Sequence, residues 1–212
     1  MCLNETWLNS EIKDCEVSIP GYDIIRNDRP TYGGGVALYV RNDLKIIERD
    51  DIHRKHNVDS CWVEVIHKDN KNILIGTIYR PPAHDLDYYD KMLDLLSVVT
   101  TECKDIVLLG DFNLNSYDNV SARSIDSIQK MFDITQLVTS PTRQAVKITR
   151  DGRINHSNSL IDLIFTTMPN SHYNTCVIKT TISDHFLVKT KIHFTKVIKH
   201  KTVTFRDYKN FN

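Results

Sequence analysis

The chain has 212 residues, enough to bury one substantial core, and we expect a single domain. Apolar residues make up 41% and charged residues 25% of the sequence, which excludes a mainly disordered protein. Lys plus Arg and Asp plus Glu number 27 each, so the net charge creates no general attraction to a polyanion. Any nucleic-acid contact must therefore depend on local basic clusters.

The cysteines and the opening residues give information on the cellular compartment of the protein. The five cysteines are scattered and have no C-x-x-C spacing, which favours reduced intracellular thiols over a disulfide framework or a zinc site. The opening stretch, MCLNETWLNSEIKDCE, places acidic side chains before any apolar run, so it predicts neither a secretory signal nor a membrane span. We therefore expect a soluble, intracellular protein without membrane contact and without an obligate protein partner.

Strand patterns dominate the first part of the chain. Five segments are rich in β-branched and aromatic residues and are bounded by Gly, Asn and Asp turns: YDIIR, GVALYV, LKIIE, CWVEVIH and NILIGTIY. We predict that they form a meander of antiparallel strands. The two prolines of YRPP end the last strand, because proline cannot continue a hydrogen-bonded ladder.

Helices are predicted later, between strands. Tyr88, Met92, Leu95 and Leu96 recur at helical spacing within 84–104. A buried strand (DIVLLGDFN), a second helix (ARSIDSIQKMFDI), the short segment QLV and a hairpin with the tip TRDGRINHSN follow. The last predicted strands are LIDLIFTT, TCVIKTTI and FLVKTKIHF. This order predicts an α+β domain in which two packed sheets carry helices on their outer faces.

Several polar residues fall at the ends of these strands or in the adjoining loops. They are Glu5, Asp111, Asn113, Asp162, Asp184 and His185. A carboxylate at the end of an apolar strand needs a partner or a metal ion, because an isolated buried charge is costly. Carboxylate oxygens suit Mg²⁺ or Mn²⁺, and an imidazole held by a carboxylate supplies charge or proton transfer. The set therefore indicates phosphodiester hydrolysis assisted by a divalent cation.

Five motifs in order, NETWL, IYRPP, LLGDFN, SLIDLIFT and ISDHFLV, resemble the endonuclease/exonuclease/phosphatase superfamily. The closest likeness is to the endonuclease domain of non-LTR (LINE-type) retrotransposons. The resemblance implies a DNase I-like layered β-sandwich of two mixed sheets, a DNA-nicking activity that depends on Mg²⁺ (with Mn²⁺ as the alternative), and a nuclear location if the substrate is genomic DNA. The ending FRDYKNFN resembles a connector to a reverse transcriptase, so we expect the domain over 1–195 and a linker over 196–212.

The resemblance also implies roles for individual residues. Glu5 and Asp184 correspond to metal ligands, Asp111 to the residue that polarises or deprotonates the attacking water, and Asn113 to a ligand of the scissile phosphate. His185 corresponds to a residue that contacts the phosphoryl oxygen, with Asp162 orienting its ring. Tyr79, Thr142 and Ser183 correspond to substrate contacts. Whether Asp111 or His185 takes the proton of the water stays open.

Plainer interpretations stand beside these roles. Tyr79 is also explained as an ordinary strand aromatic, Thr142 and Ser183 as turn residues, and Glu5 as a solvated terminal charge. Asp162 has an alternative partner in Arg150 or Arg153.

One departure from the superfamily concerns the opening of the sequence. Relatives carry a strand, a helix and most of another strand, including an Asn near the active site, before the metal-ligand Glu. Here only MCLN precedes Glu5, so we expect a sandwich without the first strand and helix, and reduced or absent activity. The alternative functions are a phosphatase or phosphodiesterase acting on a small or lipid substrate, and a non-catalytic gene remnant.

Overall fold

A computed structural model describes residues 1–30, 32–68, 71–82, 86–102, 104–148, 151, 153–168 and 172–193. The strands of this part are β1 (Cys2–Asn4), β2 (Tyr22–Asn27), β3 (Val36–Arg41), β4 (Ile46–Glu48), β5 (Ser60–Val65), β6 (Ile73–Tyr79), β7 (Asp105–Asp111), β8 (Thr135–Gln136), β9 (Arg143–Ile148), β10 (Ile154–Ser159), β11 (Asp162–Thr166), β12 (His172–Ile178) and β13 (Leu187–Ile192). The α-helices are α1 (Asp50–His56), α2 (Leu86–Thr101) and α3 (Asn119–Phe132).

The largest sheet has six strands in the order β4-β5-β6-β7-β11-β8. Strands β6 and β7 are parallel and the other neighbours are antiparallel, so this central sheet is mixed. Gly76 on β6 makes room for the ring of Trp62 on β5, because a Cβ atom at position 76 would lie 2.2 Å from that ring. The indole is therefore packed directly against the neighbouring backbone, which a larger residue at 76 would prevent.

A smaller antiparallel sheet, ordered β1-β3-β2, packs on one face of the central sheet. Its apolar side chains Ile25, Val36 and Leu38 form a core cluster with Cys61 and Val63 of β5. Strand β1 is also bonded to β6, because the Asn4 amide donates to the Ile78 carbonyl at 3.0 Å and to the Thr77 hydroxyl at 3.3 Å. The two sheets thus form the layers of a sandwich.

The helices cover the opposite face of the central sheet. Side chains alternate along a strand, so Trp62 faces away from its neighbours Cys61 and Val63 and joins a second core cluster. That cluster contains Met92, Leu95, Leu96 and Val99 of α2, Ile52 of α1, and Ile125 and Ile128 of α3. The predicted α+β sandwich is confirmed, but the three described helices all pack on the outer face of the central sheet and not on the outer faces of both sheets.

The early strands are divided differently from the prediction. Strands β2 and β3 belong to the smaller sheet and β4, β5 and β6 to the central one, so no single meander runs through all five. Two further hairpins, β9–β10 and β12–β13, are separate two-stranded sheets. Within the described residues, no helix is both long enough and apolar enough to span a bilayer.

Candidate active site

The ends of three neighbouring strands bring candidate side chains together. Strands β6 and β7 are parallel, so their carboxyl ends lie at the same edge, and Tyr79 is paired with Asp111. Strand β11 runs antiparallel to β7 and begins at this edge, where Asp162 is paired with Asp111. Residues paired across strands point to the same face of a sheet. Tyr79, Asp111 and Asp162 therefore form a row on the face that carries the smaller sheet.

A glycine lets the central strands approach closely just before this row. A Cβ atom on Gly110 would lie 1.8 Å from the carbonyl oxygen of Ile78 on β6. The backbone of Gly110 also has φ 155°, which a side chain would disfavour. The neighbouring Asp111 thus depends on glycine for its position.

The chain turns sharply after Asp111. Asn113 has a left-handed backbone, with φ 46°, and its N–H donates to Asp111 Oδ1 at 2.9 Å. Its side-chain amide donates to the carbonyl of Arg80 at 2.7 Å and to Asp111 Oδ2 at 3.3 Å. Asn113 therefore fixes the Asp111 carboxylate and is itself fixed by the end of β6.

Arg80 is a site residue that the sequence analysis did not identify. Its side chain is buried, with 4% of the residue exposed, and Nη1 donates to the carbonyls of Phe112 and Asn113 at 3.2 and 3.3 Å. Burial lowers the pKa of this guanidinium. The guanidinium thus stabilises the turn that contains Asn113, by donating hydrogen bonds to its carbonyl groups. The only sequence signal was a charged residue between a strand and two prolines.

Asp162 and His185 form a hydrogen-bonded pair. Nδ1 of His185 lies 3.0 Å from both carboxylate oxygens of Asp162. This hydrogen bond raises the pKa of His185, while burial opposes the shift. Of the alternative partners, Arg153 pairs with Asp151, and Arg150 lies outside the described residues.

Thr142 supports this pair from inside the protein. It is fully buried, and its hydroxyl accepts hydrogen bonds from the backbone N–H groups of Ile161 and Asp162, each at 3.1 Å. Its carbonyl accepts from the N–H of Phe186, next to His185. In this conformation the Thr142 side chain acts on the backbone of Asp162. A direct contact between Thr142 and a substrate stays a prediction.

Asp111, Asp162 and His185 together form a compact cluster of potential ligand atoms. One atom from each lies within 4.8 Å of the others. Burial raises the pKa of Asp111 to about 7, and the charge of Asp162 acts in the same direction. Two carboxylates at this distance hold more negative charge than the site can stabilise alone, so the donor set fits a hard divalent cation or a bound proton.

Glu5 and Asp184, the predicted metal ligands, lie outside this three-residue cluster. Glu5 follows β1 in a left-handed conformation, with φ 52°, and accepts a hydrogen bond of 2.5 Å from the Tyr79 hydroxyl. Burial and the Glu5 carboxylate raise the pKa of Tyr79. Glu5 is thereby connected to the row formed by Tyr79, Asp111 and Asp162.

Asp184 is exposed and forms an ion pair with Arg143, with Nε at 2.7 Å from Oδ2. Burial alone would raise the pKa of Asp184, but the hydrogen bond and charge of Arg143 outweigh it, and the pKa is lowered. Ser183 Oγ donates to Asp184 Oδ1 at 3.3 Å and accepts from the N–H of His185 at 3.1 Å. These contacts are those of a turn residue, and the substrate contact of Ser183 stays a prediction.

The site thus combines carboxylates with an imidazole at one edge of the central sheet of a layered α+β sandwich. The profile of the Endonuclease/Exonuclease/phosphatase family matches residues 1–196, so the chain belongs to this family. Members of the family are hydrolases that act on phosphodiester bonds. A search of curated proteins gave no significant match.

Solved structures share the fold at low sequence identity. The endonuclease domain of TRAS1, a telomere-specific non-LTR retrotransposon, is 16% identical, with a TM-score of 0.66 over 84% of this chain and 83% of that one. The 3′ phosphatase NExo from Neisseria, bound to a product DNA hairpin, is 13% identical, with a TM-score of 0.66 over 91% and 88%. The mannosyl-6-phosphatase Bt3783 of Bacteroides thetaiotaomicron is 16% identical, with a TM-score of 0.57 over 90% and 84%.

Proposed function

We propose that this chain is a divalent-metal-dependent endonuclease domain that nicks DNA, of the kind found in non-LTR retrotransposons. The observation that carries the proposal is the convergence of Asp111, Asp162 and His185 at one edge of the central sheet. The same edge holds Asn113 and Tyr79. We take residues 1–195 as the enzyme domain; the proposed linker, 196–212, lies outside the described residues.

In this proposal Asp111 accepts the proton of the attacking water. A general base works best when its pKa lies near the working pH, and the pKa of Asp111 is raised to about 7. The pKa of His185 is also raised, so its imidazole carries a positive charge over more of the neutral range and suits a phosphoryl oxygen better than a water proton. These two shifts favour Asp111 over His185 as the base.

The remaining groups position the phosphate. Asp162 keeps Nδ1 of His185 engaged, which leaves the other ring nitrogen to face a substrate. Asn113 and Tyr79 supply neutral polar groups beside the Asp111 carboxylate, and we propose that they contact phosphate oxygens, together with Ser183. Thr142 contributes indirectly, by holding the backbone of Asp162.

Glu5 and Asp184 are the proposed ligands of a Mg²⁺ or Mn²⁺ ion. Family enzymes use divalent metals, and magnesium commonly takes one or two carboxylates and retains water molecules. Both side chains are exposed, oxygen-donating and adjacent to the cluster, through Tyr79 for Glu5 and through His185 for Asp184. Such a cation stabilises the charge that grows on the phosphoryl oxygens during hydrolysis.

DNA is the proposed substrate. The TRAS1 domain is an endonuclease, and the NExo structure contains a DNA hairpin, so both support a nucleic-acid phosphodiester. If the substrate is genomic DNA, the protein works in the nucleus.

Nicking of supercoiled plasmid tests the proposal. We expect the chain to convert supercoiled to open-circular plasmid with Mg²⁺ but not with EDTA. Asp111→Asn and His185→Ala should each lower the rate at least 100-fold, because removing a proton acceptor or a phosphate contact costs several kcal/mol in the transition state. Asp126→Asn is the matched control, since Asp126 is an exposed carboxylate that pairs with Lys130 on α3. Equal rates for the Asp111 and Asp126 variants would refute the proposed site.

A phosphatase is the second candidate, because two of the similar structures are phosphatases. It uses the same cluster but requires release of inorganic phosphate. DNA with a 3′-phosphate and a sugar phosphate should each be incubated with the chain and Mg²⁺. Phosphate release without nicking would favour this candidate over the endonuclease.

A further inference from the structure

Two exposed aromatic side chains lie beside the site and have no role in the chemistry proposed above. Trp7 is 51% exposed and Tyr32 is 90% exposed, although aromatic side chains normally contribute large areas to the core. Their rings contact each other edge to face, with centroids 4.7 Å apart and planes at 73°. We call Trp7 and Tyr32 the aromatic corner. Single exposed apolar residues are ordinary, but a contacting pair is more unusual.

The backbone is strained to present this corner. Trp7 has φ 57°, a left-handed conformation that bulky residues rarely adopt. Its N–H donates to the carbonyl of Gly34 at 3.0 Å, within the run Gly33–Gly35, whose three residues all have positive φ. A Cβ atom on Gly34 would lie 2.9 Å from the Arg29 guanidinium. The glycine run therefore supplies the backbone acceptor for Trp7, whose own left-handed conformation carries the conformational cost; strained residues of this kind are often found at functional sites.

The corner is close to the proposed metal and phosphate groups. Two peptide units separate Trp7 from Glu5, so their Cα atoms are at most about 7.6 Å apart. Glu5 accepts a hydrogen bond from Tyr79, which is paired with Asp111. The aromatic corner is thus continuous with the rim of the carboxylate cluster on its Glu5 side.

We propose that the aromatic corner binds an unpaired nucleobase of the strand whose phosphate occupies the Asp111–His185 site. This inference rests on the proposed function, because the phosphate sets the position of the strand. A base stacks on an exposed aromatic face whatever its identity. The chain has equal numbers of acidic and basic residues, so stacking supplies affinity that its net charge does not.

Intrinsic fluorescence gives a direct readout of this contact. The sequence contains two tryptophans, and the other, Trp62, is buried with 1% exposure. The full chain should be titrated in EDTA with a single-stranded thymidine 12-mer and with an abasic 12-mer that has the same number of phosphates. We expect the thymidine strand to quench Trp7 emission and to bind about tenfold more tightly than the abasic strand.

Variants separate stacking from a general loss of structure. Trp7→Ala should weaken binding of the thymidine strand about tenfold and leave the affinity for the abasic strand unchanged. Trp7→Phe should keep most of the preference for the thymidine strand over the abasic strand. Tyr32→Ala should lower the preference by a smaller factor. Tyr22→Ala is the control, because Tyr22 is 40% exposed but begins β2 at the end opposite the corner. Thermal melts should show that each variant remains folded.

Equal affinity of the wild-type chain for the two strands would overturn the inference. It would also fail if Trp7→Ala kept the preference for the thymidine strand over the abasic strand. Because the assay contains no divalent cation and measures no cleavage, it is independent of nicking. Failure of the plasmid assay with base-dependent quenching intact would refute the endonuclease alone, and nicking without base preference would refute the stacking contact alone.

Discussion

At the scale of single residues, the site is a set of short hydrogen-bonded links. Asp111 is held by Asn113, His185 by Asp162, and Asp162 by the hydroxyl of Thr142. Because of these hydrogen bonds, the pKa of each titratable side chain depends on the charges of its neighbours. Two predictions about individual side chains follow from them.

The first prediction concerns Asp111 and pH. Burial raises the pKa of Asp111 to about 7, so we expect the folded chain to keep this proton up to about pH 7, whereas the unfolded chain should release it near pH 4. The unfolding free energy should therefore fall as pH rises from 4 to 7, by on the order of 4 kcal/mol from this group. The raised pKa of His185 acts in the same direction, because protonation also favours the folded state there. Asp111→Asn should remove the Asp111 contribution.

Urea unfolding in EDTA measures this effect. The wild-type chain and Asp111→Asn should have similar unfolding free energies at pH 4, and the variant should be the more stable at pH 7.5. Comparing the two proteins cancels the contribution of His185 to a first approximation. A difference between them that does not change with pH would contradict the raised pKa of Asp111.

The second prediction concerns Thr142. Thr142→Val keeps the shape of the side chain but removes an acceptor shared by a buried and a part-buried backbone N–H group, so it should destabilise the fold by about 2–4 kcal/mol. Thr142→Ser, which keeps the hydroxyl, should lose much less. Thr139→Val is the control, because Thr139 is exposed on the same segment. Equal denaturation midpoints for the two Val variants would show that the Thr142 hydroxyl bonds contribute little.

Sequence pattern and resemblance indicated candidates for the cluster, but they did not indicate the contacts that position these residues. The polar residues that follow apolar strands, such as Asp111 and His185, were identifiable from pattern and resemblance. The ion pair between Arg143 and Asp184 joins residues 41 positions apart, and Arg80 reaches Phe112 across 32 positions. Contacts of this kind depend on how the strands are paired, which local sequence does not specify.

At the scale of elements, strands with continuous apolar runs were predicted close to their observed bounds, for example β6 and β7. Helix α1 was missed because DDIHRKH has a single buried apolar residue, Ile52, and no amphipathic repeat. Strand β1 was also missed, because its three residues are ordered by pairing with β3 and not by an apolar pattern of their own.

The parallel pair β6–β7 carries a prediction at this scale. Gly110→Ala places a methyl group on the Ile78 carbonyl and should separate the two strands next to Asp111, which we expect to cost more than about 4 kcal/mol. Gly21→Ala is the matched control: Gly21 also has positive φ, but its added Cβ meets no atom within 4 Å, so only about 1–2 kcal/mol of backbone strain is expected.

Expression, circular dichroism and thermal melts of the two alanine variants distinguish the two causes of lost stability: a steric clash at position 110 and backbone strain alone at position 21. We expect the Gly21 variant to fold with a lowered melting temperature and the Gly110 variant to lose cooperative unfolding. Similar melting temperatures would show that β6 and β7 move apart at little cost.

At the scale of the whole molecule, the six-stranded and three-stranded sheets were predictable as layers, but the assignment of strands to layers was not. Strands β3 and β4 follow each other along the chain, but β3 pairs with β1 and β2 whereas β4 pairs with β5. Ile25, Val36 and Leu38 of the smaller sheet then pack against β5. Apolar alternation identifies a strand with a buried face without identifying its partner.

Cation binding should stabilise the whole fold. A ligand that binds only the folded state adds about 2.7 kcal/mol when its concentration is 100 times its Kd. We expect Mg²⁺ to raise the melting temperature, and the double variant Glu5→Gln/Asp184→Asn to abolish the rise. The matched control is Glu48→Gln/Asp126→Asn, which removes two exposed carboxylates on β4 and α3.

Calorimetric titration of the same proteins with Mg²⁺ identifies the ligands. If the Glu5/Asp184 variant still released the heat of Mg²⁺ binding and Asp111→Asn did not, the ion would be bound by Asp111, Asp162 and His185. That result would contradict the proposed ligand pair.

The base of the β9–β10 hairpin is bonded to the loop that bears His185. The N–H of Gln144 donates to the Asp184 carbonyl at 3.1 Å, and Arg143 forms a β-bridge with His185. The ladder of this hairpin has six pairs, from Arg143 and Ser159 at the base to Ile148 and Ile154 at the other end. We therefore expect substitutions at the distal end to leave the imidazole of His185 in place, and substitutions at Arg143 or Gln144 to displace it. The length and side chains of the outer part of the hairpin should thus have little influence on the geometry of the Asp162–His185 pair.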